Sequence, residues 1–294
     1  MLQFVHTMSP IIFGLALCVL LEELVPHRPV QMRDRFPGAI YILMYPMLGI
    51  YLTQPLQNLL TACGFPPLIS LASLSPFLAL PIYLLMIDFC NYWGHRLEHR
   101  FTWPFHAIHH SVEDLHAANG YTHPFQLIAQ FISITVPMSF VEVGQAQYIL
   151  AAASLLIAFQ SMVTHSPIRF RSGPLRRVWV DSHFHRVHHS LERQHWDRNF
   201  GTMFTIWDQM FGTAYFPKAT EWPDVGLEGV ATPRSLSAYL LRPFRDLLPD
   251  RFRTGGVYGS QPSASADQIC VEKGPTSPVR PFAPGTPSED RFPY

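Results

Sequence analysis

Asp88-Phe89-Cys90-Asn91-Tyr92-Trp93-Gly94-His95-Arg96-Leu97-Glu98-His99 closes an apolar segment that begins at Leu71. Leu71–Trp93 is near the roughly 20 residues that cross a hydrocarbon core. His95 and His99 stand four apart, so on a helix both imidazoles leave one face and can reach one metal ion. Soon after comes Phe105-His106-Ala107-Ile108-His109-His110, a His-x-x-His-His box, and His185-Arg186-Val187-His188-His189 repeats it. In each box the first and fourth positions share a helical face, and the adjacent His reaches a neighbouring metal. With about one residue in twenty a His, roughly 0.04 such boxes are expected by chance, so two copies signal a site.

Outward from this stretch lie four more apolar segments: Gln3–Leu21, Gly38–Leu60 with Pro46 and Pro55, Pro124–Val143, and Ala146–Val163. The first has no basic leader and no Ala-x-Ala site, and Glu22-Glu23 follow it, so it does not read as a cleaved signal. Hydrophobic residues make up 48% of the 294 and charged residues only 14%, against about a quarter in soluble domains, as membrane segments require. The expected fold is all-α: an integral-membrane bundle of four to five transmembrane or re-entrant helices. A cytoplasmic helical cap would hold the His-rich di-metal site. Residues 1–70 are read as N-terminal membrane helices, 71–253 as the catalytic domain, and 254–294, rich in Gly, Pro and Ser, as a disordered tail.

If all five segments span, Arg28, Arg33, Arg35, Arg96, Arg100, Arg169, Arg171, Arg176, Arg177 and Arg186 share one side. The opposite loops, Cys63–Ser70 and the turn at Gly144, carry no Lys or Arg, so the positive-inside bias puts the boxes in the cytoplasm. Re-entrant segments return to the side they left, so the sidedness survives a lower span count. His95–His110 follow the third segment and His185–His189 follow the fifth, so all three clusters can meet just outside the bilayer, beside His165.

Lys plus Arg equals Asp plus Glu at 21 each, and no basic run is interleaved with aromatics, so nucleic-acid binding is set aside. Cys18, Cys63, Cys90 and Cys270 form no Cys-x-x-Cys pair and read as small hydrophobes. Imidazole suits Zn, Cu, Fe and Ni. Eight box histidines, nine with His165, give two metals four or five nitrogens each; this favours a pair of irons with open positions, with zinc the alternative. No Cys-rich iron–sulfur pattern, His-Pro-Gly-Gly haem signature or Gly-x-Gly-x-x-Gly occurs. Redox chemistry at the site would therefore need a separate electron donor.

Together His95-Arg-Leu-Glu-His99, Trp103-Pro-Phe-His106-Ala-Ile-His109-His110-Ser111 and Phe184-His185-Arg-Val-His188-His189-Ser190 resemble the sterol desaturase/fatty acid hydroxylase superfamily of membrane di-iron enzymes. His195-Trp-Asp197-Arg-Asn199-Phe-Gly201 and Ile206-Trp-Asp208-Gln-Met-Phe-Gly212-Thr213 extend the resemblance, which covers about Tyr83 to Phe216. It implies that His95, His99, His106, His109, His110, His185, His188 and His189 ligate two Fe ions, with His165 as the isolated ligand before the last box. It also implies a lipid substrate such as a sterol or fatty acyl chain, and dioxygen as co-substrate. Electrons would come from NAD(P)H through a reductase and a cytochrome b5-like or ferredoxin-like protein. The expected outcome is hydroxylation, or desaturation if a second hydrogen is lost. Related sequences often read Arg-x-His-Pro-x-Glu where this chain reads Tyr121-Thr-His123-Pro-Phe-Gln126, which removes two charged groups from any polar network there.

His123 is a candidate extra ligand or hydrogen-bond donor to one, and His195 an extra ligand or solvated His. Asp88, Asp197 and Asn199 are candidates for orienting ligand imidazoles, with helix pairing the alternative for Asp88. Two other function classes stay open: a His-rich membrane metal transporter and a non-catalytic lipid-binding relative.

Overall fold

A computed structural model describes residues 2–247 except 26–29, 121, 145–146, 170–171 and 234. Arg28, Arg171, Tyr121 and the tail 254–294 with Cys270 thus lie outside the described residues. Two long apolar helices open the chain, α1 (Leu2–Leu24) and α2 (Met32–Ala62). A two-residue strand β1 (Ile69–Ser70) precedes α3 (Pro76–Phe101) and α4 (Trp103–His110). Pro76 opens the first turn of α3, where its missing N–H would have had no partner in any case. α3 does not stop at Trp93, where hydropathy falls, but runs two further turns and carries His95 and His99 on its end.

The fourth apolar segment folds as α5 (Phe125–Gln130), a π-helical turn Phe131–Thr135, and α6 (Val136–Met138). Its 14 residues reach about 21 Å, short of the roughly 30 Å hydrocarbon core. The expectation of a full span therefore gives way here to the re-entrant alternative. Strand β2 (Val141–Glu142) and α7 (Gln147–His165) follow. The short helices α8 (Ser182–His188), α9 (Ile206–Met210) and α10 (Leu236–Asp246) complete the described chain. Fold class is as expected, a helical membrane bundle with a small helical cap.

Among the described residues three helices are long and apolar enough to cross a membrane: Asp34–Ala62, Pro76–Phe101 and Tyr148–His165. Their outer faces are bare, as is that of α1, with Phe77 91%, Tyr51 74% and Phe13 71% exposed. Apolar surface on this scale is unfavourable in water and favourable in lipid, and the chain is membrane-associated.

At one end of the bundle β1 pairs in parallel with β2, Ile69 opposite Val141 and Ser70 opposite Glu142. The loops after α2 and after α6 therefore meet at the same end, where the chain carries no Lys or Arg between 63 and 75 or between 139 and 144. Gly144 closes this contact. Its φ of +62 suits glycine, and a Cβ there would come within 2.8 Å of Ala72 Cβ. Beneath it Leu71, Ala79, Tyr83, Met138, Ile149 and Ala153 form the largest apolar core, which locks α3 to α7.

The other end is tied by polar groups. Arg35 at the start of α2 pairs with the buried Glu22, and with Glu23 at 2.9 Å. Glu22 also accepts the Ala117 amide at 2.7 Å, which anchors the loop after α4 to α1. Gly38 passes so near this loop that a Cβ would lie 1.7 Å from the Ala118 carbonyl oxygen. These ties hold α1, α2 and the loop after α4 together.

Candidate metal centre

The end of α3 supplies His95 and His99, and α4 supplies His106, His109 and His110. α7 ends on His165, while α8 and its C-cap supply His185, His188 and His189. These nine fall into two groups whose ring nitrogens lie within 4.8 Å of one another. The first holds His95, His99, His106, His110 and His188; the second holds His109, His165, His185 and His189. Each box is thus split, its adjacent histidines facing opposite groups as expected, but the first position joins the fifth and not the fourth. His106 groups with His110 and His185 with His189, because residues four apart lie more nearly on one helical face than residues three apart. His110 and His189 stack at 4.6 Å between ring centroids and join the two groups.

Tautomers decide whether these nitrogens fit a cation. A carbonyl can only accept, so a ring nitrogen bonded to one must carry the proton. His95 Nδ1 donates to Phe200 O at 3.0 Å, His188 Nδ1 to Arg198 O at 2.7 Å, and His165 Nδ1 to Ser161 O at 2.7 Å. His99 Nδ1 likewise faces Asp197 Oδ1 at 3.2 Å and His106 Nδ1 faces Glu98 Oε2 at 3.0 Å. Their Nε2 atoms are left as lone pairs pointing inward. His95 Nε2 stands 3.0 Å from His106 Nε2, with no proton available to bridge them. His188 Nε2 is buried with no hydrogen-bond partner at all.

Converging lone pairs at these separations repel unless a cation lies between them. Nitrogens about 2.1 Å from a metal are roughly 3.0 Å apart at right angles and 3.4 Å apart in a tetrahedron. Nε2–Nε2 separations are 3.0, 3.1 and 3.1 Å in the first group and 3.4, 3.3 and 3.1 Å in the second. The donor set fits two imidazole-bound metal ions.

Burial, and after it the neighbouring imidazoles, holds His110, His185, His188 and His189 well below the ordinary histidine range. The neutral, ligating form is therefore favoured at neutral pH. The unfolded chain binds protons near its ordinary value of about 6.5 while the fold does not. Stability is therefore retained above about 6.5 and lost as pH falls from there toward the depressed folded values. Thermal melting in detergent should shift downward steadily as pH is lowered from neutral into the mildly acidic range; a flat profile would contradict neutral buried imidazoles.

The segment 197–200 holds three rings of the first group through Asp197 Oδ1, Arg198 O and Phe200 O. Asp197 and Asn199 both take positive φ, 54 and 59, a conformation that Asp and Asn tolerate better than other side chains. Asn199 touches no imidazole. It pins the segment instead, donating to Phe184 O and Tyr215 O at 2.8 Å and accepting from Tyr215 N at 2.7 Å. Asp208 accepts from Phe200 N and Gly201 N, both at 2.8 Å, and from Thr213 Oγ1 at 2.7 Å.

Of the residues expected to orient ligands, Asp197 alone bonds a grouped imidazole with its side chain. Asp88 instead accepts the Met203 and Phe204 amides at 2.9 and 3.0 Å, tying α3 to the loop before α9, which is neither the ligand-orienting role nor the helix pairing expected of it. His123 lies outside both groups; its Nε2 faces Leu240 O at 3.3 Å and its Nδ1 accepts from Phe125 N at 3.1 Å. His195 is also outside, fully buried between Ser190 Oγ at 2.8 Å and Glu221 Oε1 at 3.0 Å. Cys63, read as a buried hydrophobe, is exposed.

Two residues at the site escape the sequence reading. Glu98 sits three positions after His95 on the same face of α3, a spacing that marks it as a neighbour of the ligands. Gln126, read as a break in a polar network, belongs to one: its amide donates to Glu98 at 2.9 Å, and its Nε2 lies 2.8 Å from His106 Nδ1. A cavity of about 360 Å³ opens onto both groups through His95, His106, His109, His165 and His185. Ile11, Ile42, Ile134, Ile157 and Met162 give it an apolar lining, interrupted by polar groups that include Tyr41, Tyr45, Asn91, Gln130 and Ser133.

Residues 80–213 match the family model described as fatty acid hydroxylase. An ornithine lipid hydroxylase of Rhizobium tropici is 33% identical over 171 residues, covering 55% of this chain and 49% of that protein. Human alkylglycerol monooxygenase is 30% identical over 132 residues, 44% of this chain and 29% of that protein. Methylsterol monooxygenase 1-1 of Arabidopsis thaliana is 30% identical over 139 residues, 46% of each chain. The chain thus spans about half or less of the length of these curated relatives. No solved structure matches it significantly.

Proposed function

The chain belongs, over residues 80–213, to the fatty acid hydroxylase family, and from that premise we propose that it oxidises a C–H bond of a lipid with dioxygen. The observation that carries this reading is the convergence of nine imidazoles in two groups, five of which line a cavity that Ile11, Ile42, Ile134, Ile157 and Met162 also line. His95, His99, His106, His110 and His188 would hold one iron, and His109, His165, His185 and His189 the other. Bound there, the iron pair would supply the reductive activation of dioxygen.

The chain's own residues do the rest. Ile11, Ile42, Ile134, Ile157 and Met162 receive an acyl or ring portion from the bilayer and keep water from the reacting carbon. Glu98, Asp197 and the carbonyls of Ser161, Arg198 and Phe200 fix the ring orientations. The relatives named as hydroxylases and monooxygenases favour insertion of oxygen over desaturation. The histidines lie at helix ends and not at a bilayer midplane, which disfavours the transporter reading.

Arg96, Arg100, Arg169, Arg176, Arg177 and Arg186 gather at the histidine end, which favours a cytoplasmic site by the positive-inside bias. Electrons would come from NAD(P)H through a reductase and a cytochrome b5-like or ferredoxin-like carrier. Full-length protein with iron should therefore turn over only with dioxygen, reduced pyridine nucleotide and an added carrier chain. Truncation after Arg253 should preserve that turnover, because 71–253 carries the site. Turnover that persists under argon, or purified protein that moves metal ions across vesicles instead, would sink the reading.

A further inference from the structure

Of the two carboxylates that bond imidazoles of the first group, Glu98 is enclosed, its side chain 9% exposed, while Asp197 is 44% exposed. Asp197 is therefore a surface group one hydrogen bond from a buried ring, and that ring's Nε2 lies 3.1 Å from His110 Nε2 inside the group. The backbone at Asp197 takes a positive φ of 54, which sets the direction in which its side chain leaves the segment.

The charges around it are one-sided. Arg96, Arg100 and Arg198 all act on Asp197 electrostatically. Arg96 is braced over the Trp93 ring at 5.0 Å, and Arg198 donates to Gly212 O at 3.1 Å. Arg193, exposed, lies over Trp196 at 5.6 Å, four positions before Asp197 in the same segment. In residues 191–200 Glu192 is the only other acid. Guanidinium groups laid over aromatic rings are pre-ordered and weakly hydrated, which suits them to carboxylates on a partner.

We propose that this surface, centred on Asp197 and ringed by Arg96, Arg100, Arg193 and Arg198, is where an acidic one-electron redox protein docks, with electrons passing inward through the Asp197–His99 contact. The proposal rests on the oxidative reading of the site given above. Each encounter oxidises the donor by one electron and reduces the metal site by one. Two encounters supply the two electrons that, with two protons, turn one atom of dioxygen into water while the other enters the C–H bond. Charge complementarity of this kind raises the encounter rate and fixes orientation, and salt weakens it.

The test uses the full chain in nanodiscs of neutral lipid, with two net-negative probes: a soluble cytochrome b5 domain and a plant-type [2Fe–2S] ferredoxin. Binding is measured at low and at physiological salt, with and without metal. Arg100→Glu/Arg193→Glu should weaken binding of at least one probe by about tenfold or more and flatten its salt dependence. Arg100→Gln/Arg193→Gln should give an intermediate loss. Neither arginine touches a grouped imidazole, so iron content and the rate of reduction by dithionite should not change. Equal affinity in wild type and charge-reversed protein, or no binding of either probe to wild type, overturns the proposal. So does a variant that differs only in the anionic lipid it retains. A wild-type protein that takes up no iron would count against the oxidative reading, while the affinities still decide the docking surface.

Discussion

On the proposed two-iron reading, replacing His188 by Ala should remove one of the two irons and lower turnover by at least about a hundredfold, since disturbing even an outer partner of a ligand costs 10- to 100-fold. The argument is geometric. His188 Nδ1 is committed to Arg198 O, so Nε2 is a bare acceptor, and it is buried with no other partner. The neighbouring imidazoles already face the same point, and the two carboxylates beside them, Glu98 and Asp197, are bonded to His106 and His99. His109→Ala should do the same to the second group. Metal analysis of the purified variants reads both directly. Unchanged iron in both would mean that the boxes are not the site.

Asp208→Ala should be the most damaging change away from the histidines. Its carboxylate is fully buried and accepts from Phe200 N, Gly201 N and Thr213 Oγ1. Truncation strands two buried amides, at about 1–3 kcal/mol each, for a total of about 4 kcal/mol. The same loss frees Phe200, whose carbonyl holds His95 Nδ1. A lower melting temperature should therefore come with weaker iron binding, by about 10- to 100-fold. Asp208→Asn, which keeps shape and one acceptor, should lose less on both counts. A destabilised Asp208→Ala protein with undiminished iron affinity would show that the segment 197–200 does not position the ligands.

The contrast between these residues shows what a linear reading can reach. His95 and His99 follow from helical spacing, because i, i+4 neighbours share a face wherever the helix sits. Within each box the split is legible, but the expected pairing of first and fourth positions gives way to first and fifth. His165 cannot be found that way. It is a lone His at the end of α7, to which the parity of the apolar segments and the family resemblance point; it meets its partners because α7 returns to the end where α3 and α8 lie. The carbonyls of Ser161, Arg198 and Phe200 are invisible in sequence, since every residue has one. Asp88 shows the reverse failure. A buried acid near a His pair suggests a ligand partner, yet α3 turns Asp88 away toward the Met203 and Phe204 amides. Glu98 is legible in principle, from its helical spacing to His95, but it sits between two more conspicuous histidines. The fourth apolar segment misleads by its length, since hydropathy does not register that its helix ends at Met138 and that Val141–Glu142 pair as strand β2.

The central claim is that these histidines hold a centre that uses dioxygen to oxidise lipid. Iron-loaded full-length protein, supplied with a lipid extract, an electron donor chain and dioxygen labelled with heavy oxygen, tests it most directly by mass spectrometry. The expected result is a lipid product carrying one labelled oxygen atom, formed by wild type and absent with His188→Ala. A lipid fraction that shows no dioxygen-dependent change in mass with wild-type protein would contradict it.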